Sequence, residues 1–406
     1  MSRRPSGNRL DPFAWQLSGL YAAVFFVAGA KLPFLPVWLD WRGLTLAQIS
    51  IVTAAPLFAR IVITPAVALV ADRWGDHRRV VVGLAWAALA GLVLLAQARD
   101  FWALLALTLV IAMAWTSIMP LAEAVAMRGV RSKGLDYGRM RLWGSLSFIA
   151  ASVIGGMAVG QLGPASAVWL MVVGAALTVA AAHGLPRPAA SAPAGRPSAR
   201  APVWSAARPL VTSSTFLLFL LAVGCVQAAH AVFYTFGTVH WRAQGLSATW
   251  SGALWAIGVI AEIALFAFSG AAVRAVGVAA LMAAGALAGV IRWTAMGFDP
   301  PLALLIVLQV LHGATYGATH LAAVHFISST VPQELGGTAQ ALYASVTAGI
   351  AMGGVMLLAG WLYAAWGGRA YLAMAALSLV GLVASLALLG KRYGQTPRDT
   401  ARPDAH

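Results

Sequence analysis

Glu262 stands inside the run from Trp255 to Phe268, which is otherwise apolar or glycine. A carboxylate in such a helix has no water to hydrate it, and a charge at a bilayer centre costs roughly 2.5–3.5 kcal/mol. Residues of this kind are kept where they move an ion or bind a ligand. Lys31, Arg60, Arg292, His230, His312 and His320 lie in comparably apolar stretches. Their chemistry is complementary. A carboxylate whose surroundings alternate between closed and open can gain and lose a proton, because burial raises its pKa and a nearby cation lowers it. A guanidinium offers a planar fork to a carboxylate. Imidazoles exchange protons near neutral pH.

Glu262, His312 and His320 are therefore read as the proton-coupling candidates. A static pair between Glu262 and a neighbouring cation is the plainer alternative. Arg292, Arg60 and Lys31 are read as candidate contacts for an anionic substrate. Arg292 can instead pair with Glu262 across adjacent helices, and Lys31 can snorkel outward. Gln309, His312, Tyr316 and His320 recur at three- and four-residue intervals and so share one helix face; Gln227, His230 and Tyr234 form a second polar stripe. One histidine on an apolar face is usually a packing residue, but two polar stripes favour ligand contact. Trp143, Trp255, Trp293, Phe233 and Phe236 can line an apolar pocket, pack, or face lipid. No compact ligand spacing points to a metal, and no cofactor is expected. There is no glycine-rich nucleotide loop and no hydrolytic triad, so the chain is read as a non-enzyme driven by gradients.

The elements that must hold these residues follow from composition. The 406 residues are 61% hydrophobic and 10% charged. A hydrocarbon core needs about 20 apolar residues per helix, which leaves room for about twelve spans. The reading is an all-α integral membrane protein with helices near 13–39, 45–70, 80–97, 101–125, 140–162 and 166–185, then 210–237, 248–270, 275–297, 301–326, 338–363 and 369–390. Residues 1–185 form one six-helix bundle and 209–406 the second, which ends in a short cytoplasmic tail. The stretch 186–208, rich in Pro, Ala, Ser and Arg, is a linker. Apolar sequence continues past Ala28-Gly29-Ala30, so the first helix is read as uncleaved. The one cysteine, Cys225, lies inside a span, which excludes a disulfide framework.

The net charge of +15 sits in loops on one side, so it is assigned to topology rather than to nucleic acid. Arg73, Arg78, Arg79, Arg128, Arg131, Lys133, Arg139 and Arg141 fall on the side of the N-terminus; Arg42, Arg99, Arg242 and Arg369 fall opposite. By the positive-inside rule both termini and the linker are cytoplasmic, in a bacterial inner membrane. The two halves echo one another. Trp41-Arg-Gly-Leu-Thr45 follows the first helix and Trp241-Arg-Ala-Gln-Gly-Leu-Ser247 the seventh; Gly155-Gly156 and Gly353-Gly354 occupy the fifth and eleventh. Repeated halves with a mid-membrane site between them are the plan of secondary transporters.

The loop Asp72-Arg73-Trp-Gly75-Asp-His-Arg78-Arg79 resembles the signature loop between helices 2 and 3 of the major facilitator superfamily. The resemblance implies that Asp72 helps to latch the cytoplasmic side when the protein opens outward. Asp72, Arg73, Glu123, Arg139 and Arg141 are read as a cytoplasmic gate network, with ordinary interfacial pairing as the alternative. Leu135 to Ser145, Gln227 to His230, Leu254 to Glu262, Gly289 to Trp293 and Gln309 to Ala323 are similar to the corresponding helices of bacterial phenylpropionate permeases. Two positions depart from that pattern: Lys31 replaces an apolar residue, and Glu123 stands where an aspartate is typical. The resemblance implies proton-coupled import of an aromatic monocarboxylate by alternating access. The alternatives are a sugar or nucleoside symporter and a drug efflux antiporter. The chain is read as a monomer whose partners are substrate, protons and lipid.

Overall fold

The computed structural model describes residues 11–186 and 203–391. Among these residues there is no β-strand, and twelve apolar helical passes run back and forth. The first half holds α1 (Pro12–Trp41), α2 (Leu46–Trp74), α3 (His77–Gln97), α4 (Phe101–Lys133), α5 (Tyr137–Leu162) and α6 (Ala165–Gly184). The second half begins with α7 (Ser214–Ala243), which is interrupted at Ala229 and His230, and α8 (Ala248–Ala267). Next come α9 (Val278–Met296) and α10 (Leu302–Thr330), the latter widened into a π-helical turn at Gly313–Ala318. Helix α11 runs as Gly336–Ala344, a π-helical stretch Ser345–Ala351, and Met352–Trp366. The last pass is α12 (Ala370–Gly390). Residues 333–390 are apolar almost throughout, but the backbone turns back at Gly367–Arg369 and makes two passes of the stretch.

The expected twelve passes are present, with shifted ends. Helix α4 extends to Lys133, where Gly134 in the left-handed region stops it. Of the stretch read as a linker, most lies outside the described residues; its end belongs to a short helix, Val203–Val211.

Local chemistry sets the boundaries. Asp11, Asp76, Asp100 and Asp136 each accept a backbone N–H at the start of α1, α3, α4 and α5. Thr45 and Gln48 form a capping box on α2, and Ser247 caps α8. The echo seen in the sequence is present in the backbone. Gly43 and Gly245 both sit at φ +86, before the capping residues Thr45 and Ser247. Only glycine takes that conformation without strain, which lets the chain reverse tightly between helices.

The halves meet at one end. At the end away from the basic loops, one apolar cluster draws on both halves and includes Phe34, Trp38, Phe148, Phe233, Trp241 and Trp293. At the basic end the core splits in two. One cluster is built from the first half around Leu17, Tyr21 and Met140. The other is built from the second half around Phe219, Phe326 and Tyr343. Glycines make the joined end tight. A Cβ on Gly252 of α8 would fall onto the carbonyl oxygen of Ser152 in α5, and one on Gly156 would lie 2.5 Å from the carbonyl oxygen of Ala248. On the other flank, a Cβ on Gly360 of α11 would lie 2.7 Å from the carbonyl oxygen of Leu46 in α2. These contacts bring backbones together as small residues do in membrane interiors.

Candidate functional site

The polar residues of the second half form one hydrogen-bonded chain whose proton positions follow from the donor inventory. Arg292 is fully buried and can only donate. Its Nη1 donates to Nδ1 of His312 at 3.0 Å and to Oγ1 of Thr315 at 3.1 Å; its Nη2 donates to Oε1 of Gln309 at 2.9 Å. Nδ1 of His312 therefore accepts, and the ring proton lies on Nε2, which donates to Oε1 of Glu262 at 2.8 Å. His230 has the opposite tautomer. Its Nδ1 donates to the carbonyl oxygens of Val226 and Gln227, both at 3.1 Å, so its Nε2 accepts the Thr315 hydroxyl proton at 3.0 Å. The guanidinium also lies 4.4 Å from the ring centre of Trp293 and 5.0 Å from that of Phe233.

Arg292 thus does not touch Glu262; His312 stands between them and links the two charges. Arg292 and His230 line neither of the two cavities that flank this chain. In this conformation Gln309, His312 and Thr315 take up the two Nη groups of Arg292, while its Nε is buried without a partner. Sequence reading missed Thr315, which joins Arg292 to His230. Its signal was its place one turn beyond His312.

Two cavities flank this chain. The first has a volume of about 470 Å³ and is lined by Lys31 and Arg60 from the first half, and by Gln227, Tyr234, Tyr316, His320 and Tyr343 from the second. Among the described residues no carboxylate lines it, and neither Lys31 nor Arg60 has a hydrogen-bond or ion-pair partner. The second, of about 960 Å³, is lined by Glu262, His312, Gln309, Phe233, Trp255 and Phe148, and extends to Asp136 and Arg139 at the basic end. Tyr234, Tyr316 and His320 line both cavities and join them. Both volumes fall within the roughly 300–1,000 Å³ of small-molecule sites.

The stripe on α10 is a stack of rings. His312 and Tyr316 lie 5.6 Å apart and Tyr316 and His320 lie 6.2 Å apart, each pair within 16° of parallel. His320 Nδ1 then meets the hydroxyl of Tyr343 on α11 at 2.9 Å, a contact sequence spacing did not suggest. The wide turn Gly313–Ala318 lies within this stack; π-helical turns are frequent where helices carry function. Of the five aromatic candidates, Phe233 and Trp255 line the second cavity and stack at 4.6 Å. Trp293 and Phe236 are buried, and Trp143 is exposed against Trp15, away from both cavities.

The five residues read as a gate do not meet across the halves. Asp72 pairs with His77 at 3.3 Å, Arg139 with Asp136 at 3.4 Å, and Glu123 accepts the Tyr137 hydroxyl at 3.1 Å. Arg141 lies over the ring of Phe25 at 4.0 Å, and Arg73 is exposed. All these partners belong to the first half, as expected with the basic ends apart.

Comparison with known proteins agrees with this architecture. The model of the MFS_1 like family matches residues 14–373. A probable 3-phenylpropionic acid transporter of Escherichia coli (strain K12) is 33% identical over 376 residues, covering 91% of this chain and 96% of the relative. A maltose permease of Geobacillus stearothermophilus is 32% identical over 390 residues, covering 92% and 93%. Among solved structures, the nucleoside transporter NupG superposes with a TM-score of 0.81 at 18% identity, covering 94% of this chain and all of that one. With this family match on a twelve-pass fold of two joined halves, the chain belongs to the MFS_1-like family of membrane transporters, within the major facilitator superfamily that its Asp72–Arg79 loop resembles.

Proposed function

We propose that the protein imports a small aromatic carboxylate, such as a phenylpropionate, together with protons by alternating access. The observation that carries this reading is the first cavity: two cations, Lys31 and Arg60, face a volume without any carboxylate. A buried cation without a partner is strongly unfavourable, so an anion is the ligand such a wall favours. The naming of the Escherichia coli relative supports the same class.

Glu262 is the proton carrier in this scheme. The imidazole of His312 transmits the Arg292 charge to it and fixes its orientation, while the second cavity gives it a path to the basic end. Protonation of Glu262 breaks the charge balance with Arg292, and loss of the proton restores it. His320, between the two cavities, connects this balance to the anion site through Tyr316. In this scheme the basic end is cytoplasmic, as its Lys and Arg content favours, and the protein works in a bacterial inner membrane as a monomer with both termini inside. The cavity then opens inward. In the opposite state the basic ends close, and Asp72, Arg73, Glu123, Arg139 and Arg141 become contacts between the halves. A membrane potential of 100 mV supplies about 2.3 kcal/mol per charge, and each pH unit about 1.4 kcal/mol.

A sugar or nucleoside symporter is the second reading, favoured by the maltose permease and NupG similarities. The cavity wall argues against it. The hydroxyls of Thr53, Thr116 and Thr347 donate to carbonyl oxygens of their own helices, so the free donors of the wall are led by the two cations Lys31 and Arg60, which favour an anion over a neutral polyol. The test is uptake into proteoliposomes of phenylpropionate, maltose and uridine, with and without an inward proton gradient. Phenylpropionate accumulation that needs the gradient is expected; accumulation of only the neutral compounds would remove the carboxylate reading.

A further inference from the structure

The charges of the membrane interior do not balance, and the excess is confined to one wall. In the second half, Glu262 and Arg292 are joined through His312 and cancel. In the first half, Lys31 and Arg60 both line the 470 Å³ cavity and no acidic side chain lines it with them. Arg141 belongs to the other cavity, near its mouth, where Asp136 also stands. A single carboxylate in the first cavity would thus leave one cation without a counter-charge.

The two cations also stand apart. Lys31 lies ten residues before the end of α1 at Trp41, and Arg60 lies fourteen residues after the start of α2 at Leu46. Those two helix ends are joined by the short Arg42–Thr45 turn, so Arg60 lies four residues deeper, about 6 Å along the helix axis at the usual rise. The cations therefore occupy different levels and different helices of one cavity, an arrangement suited to two anionic groups on one body. The remainder of the wall contains Leu32, Leu35, Pro36, Leu57 and Met352, which suits an apolar core between them.

We infer that the substrate is a dianion with an apolar, aromatic-sized body, such as an aromatic dicarboxylate, and that Lys31 is the residue that selects it over a monocarboxylate. This rests on the carboxylate reading proposed above and sharpens it. Arg60 holds one carboxylate through its fork and Lys31 receives the second as a point charge. A side chain at position 31 without charge would leave a site for a monoanion.

The test is binding to the purified, detergent-solubilised full chain at neutral pH, by calorimetry, of para-carboxyphenylpropionate, phenylpropionate and phenylpropionamide. The dianion is expected to bind about ten-fold or more tightly than the monoanion, because a second unscreened charge pair is added in the membrane interior. Lys31→Met should bring the ratio of the two affinities close to one, whatever happens to each alone, and Lys31→Arg should keep the preference. Thermal unfolding of each variant separates lost binding from lost folding; if Lys31→Met does not fold, the wild-type ratio and the Lys31→Arg ratio still decide. Equal wild-type affinities for dianion and monoanion would overturn this inference and leave the carboxylate reading intact. Binding of the amide as strongly as of either acid would overturn both. A preference that survives in Lys31→Met would assign the second anionic contact to another residue and remove Lys31 from the proposal.

Discussion

Arginine plays opposite parts in the two halves. Arg292 is fully buried among three hydrogen-bond acceptors and two aromatic rings, and is tied to Glu262 through one imidazole. Arg60, at mid-depth in α2, is partly exposed to a cavity and has no partner. The same side chain is tied to acceptors in one half and faces a cavity without a partner in the other. The difference lies in what surrounds it. Helix α10 supplies Gln309, His312 and Thr315 within two turns, whereas among the described residues no acceptor is in hydrogen-bond reach of Arg60. Within such a fold, then, the number of satisfied donors tells a structural cation from a binding one better than depth does.

The largest effect that tests this comparison is on coupling. In Glu262→Gln the amide cannot cycle a proton, so accumulation under an imposed gradient of one pH unit should fall from about ten-fold per coupled proton to none. Exchange of labelled for unlabelled substrate should persist. Normal accumulation by this variant in proteoliposomes would place the proton elsewhere.

Next in size is the contrast between the two arginines. Arg292→Met leaves the Glu262–His312 pair without its counter-charge and should destabilise the protein by about 3–5 kcal/mol, read from denaturant or thermal unfolding in detergent. Arg60→Met should cost little stability and weaken substrate binding by about ten-fold or more. If both variants lose stability equally, Arg60 is structural too and the comparison fails.

The two ends of the molecule provide a third contrast. Gly252→Val puts a side chain where the Ser152 carbonyl lies, and overpacking of this kind costs about 1–3 kcal/mol. That cost falls only on the conformation with this end closed, so the equilibrium should shift toward opening. A cysteine at Thr53, in a Cys225→Ser background, should become labelled from the side opposite the basic loops several-fold faster in this variant. An unchanged labelling rate would mean that the end does not open along α5 and α8.

The smallest expected effect is at Asp11, which caps α1 at the basic end. The Phe13 N–H first, and then Lys133, hold its carboxyl below the usual range. Because the folded value is depressed, the contribution is present at neutral pH and is lost as pH falls through that value, below the ordinary carboxylate range. The pair is exposed, so Asp11→Asn should lie within error of the wild type in thermal midpoint at neutral pH. A clear loss would make the cap more important than its exposure suggests.

Much of this architecture could be read from the chain itself. Hydropathy and chain length point to about twelve passes, since a helix satisfies its own backbone in lipid and few other structures can. Charge in the loops divides them into two sides, and the echo of Gly43 with Gly245 marks the repeat, because each must adopt the same left-handed turn. The isolated polar residues announce the site, as their burial is too costly to be incidental. Helical spacing likewise foretold the His312–Tyr316–His320 stack, a local consequence of the α10 backbone.

What the chain alone left open is who meets whom between helices. Spacing within one helix is fixed by its pitch, but the contacts of Arg292 with α10, of Glu262 with His312 and of His320 with Tyr343 depend on how helices dock. Sequence allowed Arg292 to pair with Glu262 or to bind substrate. The tertiary structure put His312 between them and left Lys31 and Arg60 to face the empty volume. It also decided that the two cores merge at one end and part at the other. The physical reason is that docking minimises unsatisfied polar groups and voids over the whole bundle at once, a sum that no single segment of sequence contains.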